Sequence, residues 1–144
     1  MDFESPARNA LFAKWAGVQN DKRFMNYNQK IGQFGEEIAC NYLKNKGYLI
    51  IDRNIKISFK EIDIVAKISN LLVFVEVKTR LSNKYGEADE AMTIQKTNNF
   101  RQAIELYLEN NKKAYFEEFR ADLIAIDIDK VKKIAKIKHY KDVI

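Results

Sequence analysis

The chain has one cysteine, Cys40, and one histidine, His139, among its 144 residues. A single cysteine excludes an internal disulfide framework, and the two residues together are too few for a cysteine/histidine zinc site within one chain. A metal held by this protein must therefore be held mainly by oxygen, which points to magnesium, manganese or calcium. No apolar run approaches the roughly 20 residues needed to span a membrane. Near the start, Ala10-Leu11-Phe12-Ala13 stops at Lys14. That is too short for a secretory signal, so a cytoplasmic protein with no membrane partner is expected. Internal repeats and low-complexity segments are also missing.

What is present is an ordinary globular mixture, 47% hydrophobic and 31% charged, enough to build one domain around its own core. A net charge of +5 and a pI of about 9.2 lean basic. This suits a partner with a phosphate backbone without specifying one. Residues 1–27, with Pro6, show no sustained period and read as an N-terminal extension, either a poorly ordered tail or a short extra helix. The domain proper is expected over 28–144. Met25 is a candidate natural start, a reading that N-terminal sequencing of the native protein tests.

Periodicity supplies the elements. Ile31, Phe34, Ile38, Tyr42 and Leu43 recur at helical steps between Lys30 and Lys46, and Gly47 is a stop signal. Tyr48 to Ile51, Ile62 to Ala66 and Leu71 to Lys78 read as strands. A second helix, capped by Thr93, runs to about Asn110 with Phe100, Ala103, Ile104, Tyr107 and Leu108 on one face. Leu123 to Ile126 is a further strand, and Ile134 to Tyr140 a lysine-guarded edge strand. The order α-β-β-β-α-β predicts an α/β domain with a mixed central sheet flanked by helices.

The chemistry-bearing residues lie on two of these strands. Alternation places Glu61 and Asp63 on one face, and Glu76 and Lys78 opposite Val73, Val75 and Val77. A turn centred on Ser69-Asn70 brings Asp63 opposite Glu76 and Glu61 opposite Lys78, with Cβ atoms about 5 Å apart. Opposed carboxylates repel and raise each other's pKa unless a cation lies between them. Magnesium accepts one or two protein carboxylates, waters and a substrate phosphate. Lys78 beside it would contact the phosphate or orient the attacking water, so the pattern points to phosphodiester hydrolysis. The competing reading is an exposed Glu76–Lys78 ion pair with no special role. On the first helix, geometry favours Glu36 over Glu37 as an inward-reaching acid, against the alternative of a solvated glutamate.

Asp63 followed by Glu76-Val77-Lys78 resembles the Asp…Glu-x-Lys signature of restriction-endonuclease-like nucleases. The surrounding residues are Gly32-Gln33-Phe34-Gly35-Glu36, Gly47-Tyr48, Arg53-Asn54, Glu61-Ile62-Asp63, Val73 through Arg80, Gly86 and Lys96. Together they resemble the YraN-like family, uncharacterised protein family 0102, described as similar to archaeal Holliday-junction resolvases. The resemblance runs from about Asn28 to Asp127 and implies a restriction-endonuclease-like fold. It implies Asp63 and Glu76 as ligands of Mg2+ or Mn2+, with Glu36 as a further direct or outer contact and Lys78 assisting the water or the phosphate. The family usually has glycine where this chain has Lys60, which either crowds the site or adds a phosphate contact.

Arg53, Lys60, Arg80 and Lys96 are the candidate nucleic-acid contacts. Lys84 and Arg101 are weaker ones, and Tyr85, Tyr107 and Tyr115 are candidate stacking residues. His139 reads as a surface residue among lysines. The expected function is metal-dependent cleavage of DNA, branched or damaged, by a homodimer where the substrate is two-fold symmetric. The alternative is a non-catalytic nucleic-acid-binding or partner-scaffolding module that keeps the fold.

Overall fold

A computed structural model of the chain describes residues 2–3, 27–81, 94–111 and 118–144. Outside them lie most of the expected N-terminal extension, the Met25 start, Lys84, Tyr85, Gly86, Thr93 and Tyr115. The described elements are β1 (Asp2–Phe3), α1 (Tyr27–Asn45), β2 (Leu49–Ile57), β3 (Lys60–Ile68), β4 (Leu71–Leu81), α2 (Ile94–Asn110), β5 (Glu118–Asp129) and β6 (Ile134–Tyr140).

The strands form one mixed sheet in the order β1-β6-β5-β4-β3-β2. Strands β2, β3 and β4 are joined antiparallel by two-residue turns. Strand β4 then pairs parallel with β5 across the α2 crossover, and β6 returns antiparallel. The two-residue β1 adds to the far side of β6. This is the α/β architecture expected from the sequence, five principal strands flanked by two helices, and it is compatible with a restriction-endonuclease-like core.

One helix covers each face of the sheet. The predicted stripe Ile31, Phe34, Ile38 and Leu43 is buried against Ile64, Val73, Val75, Ile124 and Ile126. On the other face Phe100, Ala103, Ile104 and Tyr107 pack on Ile62, Val65, Leu72 and Phe74. Strands β4 and β5 are central in the sheet and largely buried, which explains their near-continuous apolar runs. The end of α1 is set by Gly47, whose φ of +92° a side chain would resist. Tyr48 N donates to Leu43 O at 2.9 Å and Gly47 N to Lys44 O at 3.0 Å. These are the two bonds of a Schellman stop, and the accompanying apolar contact is supplied by Tyr48 and Leu43 in one cluster.

Several elements outrun their expected bounds, α1 beginning at Tyr27 and β4 running on to Leu81 among them. Strand β2 continues through Asp52-Arg53-Asn54 to Ile57, because an edge strand keeps its ladder while exposing charged residues. Strand β3 starts at Lys60, and β5 extends at both ends beyond Leu123 to Ile126.

Candidate metal and phosphate site

The β3–β4 hairpin turns at Ser69-Asn70, and its pairs run from Ile68↔Leu71 to Ile64↔Val75, the register expected from the sequence. The ladder stops one rung short of Asp63 and Glu76. At that rung Asp63 replaces backbone with side chain: its Oδ2 accepts the Val77 amide at 2.8 Å. An amide that a regular ladder would offer to the β3 backbone is thus satisfied by a carboxylate.

The same rung is irregular on the other side of β3. Pairs Arg53↔Ile64 and Ile55↔Ile62 flank Asn54 and Asp63, and Asn54 has φ +50°. Residues two apart in a regular strand share a face. Here Ile64 packs under α1 while Ile62 packs under α2, and Arg53 bonds Glu37 of α1 while Ile55 joins the α2 cluster. Both strands turn over at this point. The alternation expected for Glu61 and Asp63 therefore does not run through Asp63. The left-handed backbone that permits the reversal is one asparagine tolerates better than most residues.

Glu36 reaches this opening from α1. A Cβ on Gly35 would collide with the Thr79 side chain, so glycine lets α1 lie directly on the end of β4. Glu36 then sits close enough to Asp63 and Glu61 to feel their charge, and its carboxylate takes a side-chain hydrogen bond from Asn54. Glu37, the other candidate, pairs with Arg53 at 3.1 Å, both side chains more than a third exposed.

The three acids of the opening all lie above the ordinary carboxylate range. Burial, then the charge of Asp63, pushes the Glu36 carboxyl up to about 7. Burial also raises Glu76, with the Asp63 charge adding to it and Lys96 opposing it. Asp63 is raised chiefly by burial, against the pull of the Val77 amide. Asp63 and Glu76 lie within hydrogen-bonding reach of each other, and the contact favours the protonated form of Glu76, which burial and the Asp63 charge already push up. Beside them lies a knot of cations. Lys78 is pushed down by burial, then by Lys96 and Arg80.

This donor set suits a hard divalent cation. Two carboxyls touch, and a cation would relieve the repulsion between them when both are ionised. Among the described residues no group of three or more His, Cys, Asp and Glu side chains is arranged to hold a metal ion. The remaining positions would fall to water and phosphate oxygen, which is how magnesium is usually held. Neither sulfur nor imidazole is among the groups that act on Asp63 and Glu76. Cys40 is buried within α1, with its thiol pushed up by burial, and His139 bonds Asp122.

The other candidates divide. Arg80 and Lys96 lie beside Lys78, and Lys96 also acts on Glu76. Arg53 is occupied by Glu37, and its Nε is buried without a partner among the described residues. Lys60 stands at the β2–β3 turn rather than in the opening. Arg101 is exposed on α2, and Tyr107 belongs to the core, edge-on to Phe74 at 5.4 Å.

Two features escaped the sequence reading. Asn54, quoted only as part of a motif, both reverses β2 and holds Glu36. His139 is not a surface residue: its side chain is 5% exposed, and Nε2 lies 2.7 Å from the fully buried Asp122. Arg120 donates to both Asp122 oxygens at 2.8 and 2.9 Å, and the Asp142 amide adds a fourth bond. Tyr48 accepts from Arg120, and Tyr42 Oη lies 3.2 Å from His139 Nδ1. The available signal was an aspartate inside the apolar run of β5.

Comparison with known proteins agrees with the motif-bearing region. The model of the Uncharacterised protein family UPF0102 matches residues 35–126. A UPF0102 protein of Clostridium botulinum (strain Loch Maree / Type A3) is 41% identical over 121 residues, covering 82% of this chain and 97% of that protein. One from Dictyoglomus turgidum is 38% identical over 99 residues, covering 69% of this chain and 83% of its own. Among the described residues no helix is long and apolar enough to cross a membrane. A family match across most of the β-β-β-α-β core, with relatives near 40% identity over most of the chain, leads to one conclusion: this chain belongs to the uncharacterised protein family UPF0102.

Proposed function

We propose that the protein is a divalent-metal-dependent nuclease that hydrolyses phosphodiester bonds of DNA, with branched or damaged DNA as its substrate class. The observation that carries this reading is the contact between the Asp63 and Glu76 carboxyls where β3 parts from β4, with Lys78 beside them. A structural sheet gains nothing from two buried acids in contact, whereas a cation site requires them.

In this reading Asp63 and Glu76 hold Mg2+ or Mn2+, and Glu36 braces the ion directly or through water. When bound, such an ion supplies a more acidic water and neutralises charge that builds on the phosphate. The chain's own groups do the rest. Lys78 donates to the attacking water or to a phosphate oxygen. Lys96 and Arg80 hold neighbouring phosphates. Glu36, titrating near neutrality, accepts the proton that the water loses. The water oxygen forms the new bond to phosphorus, and the departing sugar oxygen takes up a proton. Cutting a two-fold symmetric junction would need two copies of the site, and therefore a homodimer.

The test is cleavage of a labelled panel: single-stranded, duplex, flap and four-way-junction DNA, and RNA. It is run with magnesium and with manganese, the wild type beside Asp63→Ala and Lys78→Ala. Metal-dependent cutting that both variants lose is expected. Binding without cutting by any form would point instead to a non-catalytic nucleic-acid-binding or scaffolding module.

A further inference from the structure

The β2–β3 hairpin carries a side chain that neither the core nor the site uses. Phe59 is 102% exposed, at the tip of the two-residue turn between Ile57 and Lys60. Among the described residues the other exposed phenylalanine is Phe119, which is 48% exposed and packs edge-on against Phe74 at 6.1 Å. Among the described residues no ring packs against Phe59 in this way. Single exposed apolar residues are common enough that exposure alone assigns nothing.

Placement gives the ring its meaning. Beyond the Asn54/Asp63 rung, β3 is no longer paired with β4, so the hairpin end projects past the carboxylates. Its stem is not loose. Ile55, Ile57 and Ile62 pin it to the α2 cluster, and pairing continues to the last rung, Ile57↔Lys60. Ser58, with φ +56°, makes the reversal tight. Phe59 lies four residues from Asp63, roughly 13 Å along an extended strand. That is about four steps of stacked bases at 3.4 Å each. Lys60 follows it directly, half-exposed and able to meet a phosphate. Glu61, the acidic neighbour, acts on the carboxylates of the site.

We propose that Phe59 is a stacking wedge: it takes the face of an unpaired or unstacked base while Lys60 contacts the adjoining phosphate, placing the bond to be cut at Asp63 and Glu76. The partner is nucleic acid with accessible base faces, such as a strand end, a junction or a bubble, rather than continuous duplex. A rigid aromatic tip beside one cation is the combination that binds single strands without reading sequence. The choice of substrate rests on the nuclease reading, but the stacking contact is measurable without any cutting.

The test uses the full chain carrying Asp63→Asn, so that cleavage does not intrude. The probes are DNAs with 2-aminopurine in a duplex interior, at a duplex–single-strand junction, or in a single strand. Binding to the junction is expected to change the 2-aminopurine fluorescence. Adding Phe59→Ala should weaken junction binding about tenfold or more and abolish that change. Phe59→Trp should retain both. Phe59→Leu, which keeps bulk without a ring, should not. Lys60→Ala should weaken all three probes alike and reduce the salt slope by about one. Thermal melts establish that each variant is folded. Full binding and signal with Phe59→Ala, rescue by leucine, or no binding to any probe would each overturn the wedge. Wild-type cutting indifferent to Phe59→Ala would remove the wedge and leave the nuclease reading. A base-dependent signal without wild-type cutting would do the reverse.

Discussion

One sheet holds two buried clusters of acid, and their electrostatics are opposite. Asp122 is completely buried, yet its carboxyl is held below the usual range. Burial alone would raise it. His139, the Arg120 fork and the Asp142 amide together outweigh that burial. Asp63, Glu76 and Glu36 are less buried, and all three are raised. The partners they have, the Val77 amide at Asp63, Asn54 and Arg53 at Glu36 and Lys96 at Glu76, do not outweigh burial and mutual repulsion. Asp122 has spent its charge inside the fold, whereas the Asp63 cluster keeps an uncompensated charge that only a ligand or a proton can balance. Buried acids are thus told apart by their partners rather than by their depth.

The largest effect expected to sharpen this contrast comes from Asp122→Ala. It strands Arg120 and His139 in a part-buried place and should cost about 3 kcal/mol, read as a lower urea midpoint at unchanged slope. Asp63→Asn should cost far less, because it removes repulsion. Equal losses for the two would break the comparison.

Next comes Gly35→Ala. The added methyl meets Thr79 at the α1–β4 contact and should destabilise by about 1–3 kcal/mol. It should also displace Glu36, so metal affinity should fall beyond what the loss of stability explains. Gly32→Ala, three residues earlier in open space, serves as the control and should be neutral or slightly stabilising.

A smaller effect follows from linkage. A carboxyl raised on folding contributes stability that is fully present below its unfolded pKa and is lost as pH rises through the folded value. For Glu36 the window runs from the ordinary carboxylate range to about 7, and Glu76 shifts in the same direction. Metal-free Glu76→Gln should therefore melt a few degrees above wild type near pH 8.5 and no higher near pH 5, by scanning calorimetry. For Asp122 the sign reverses: its lowered pKa gives stability above the unfolded value that is lost as pH falls.

Much of this was legible in the sequence because it is local. The stripes Ile31-Phe34-Ile38 and Phe100-Ala103-Tyr107 follow helical period, Gly47 marks a stop, and Ser69-Asn70 sets a hairpin register that alone brings Asp63 towards Glu76. What was not legible depends on contacts distant in sequence. The reversal at Asn54 needs a left-handed backbone at a residue other than glycine, which no periodicity announces. His139 sits among lysines in a strand of alternating faces, and only the fold reveals that Asp122, 17 residues away, lies beneath it. Strand β2 outran its reading because its charged residues face water from a sheet edge.

The measurement that tests the central claim most directly is calorimetric titration of manganese into metal-free wild type near neutral pH. It is repeated in two buffers of different ionisation enthalpy and with Asp63→Asn. The expected result is binding that releases protons, because the cation competes with protons for carboxyls that burial has raised, with binding lost in Asp63→Asn. No binding to wild type at millimolar manganese, or binding that neither releases protons nor depends on Asp63, would contradict the assignment of this opening as a cation site.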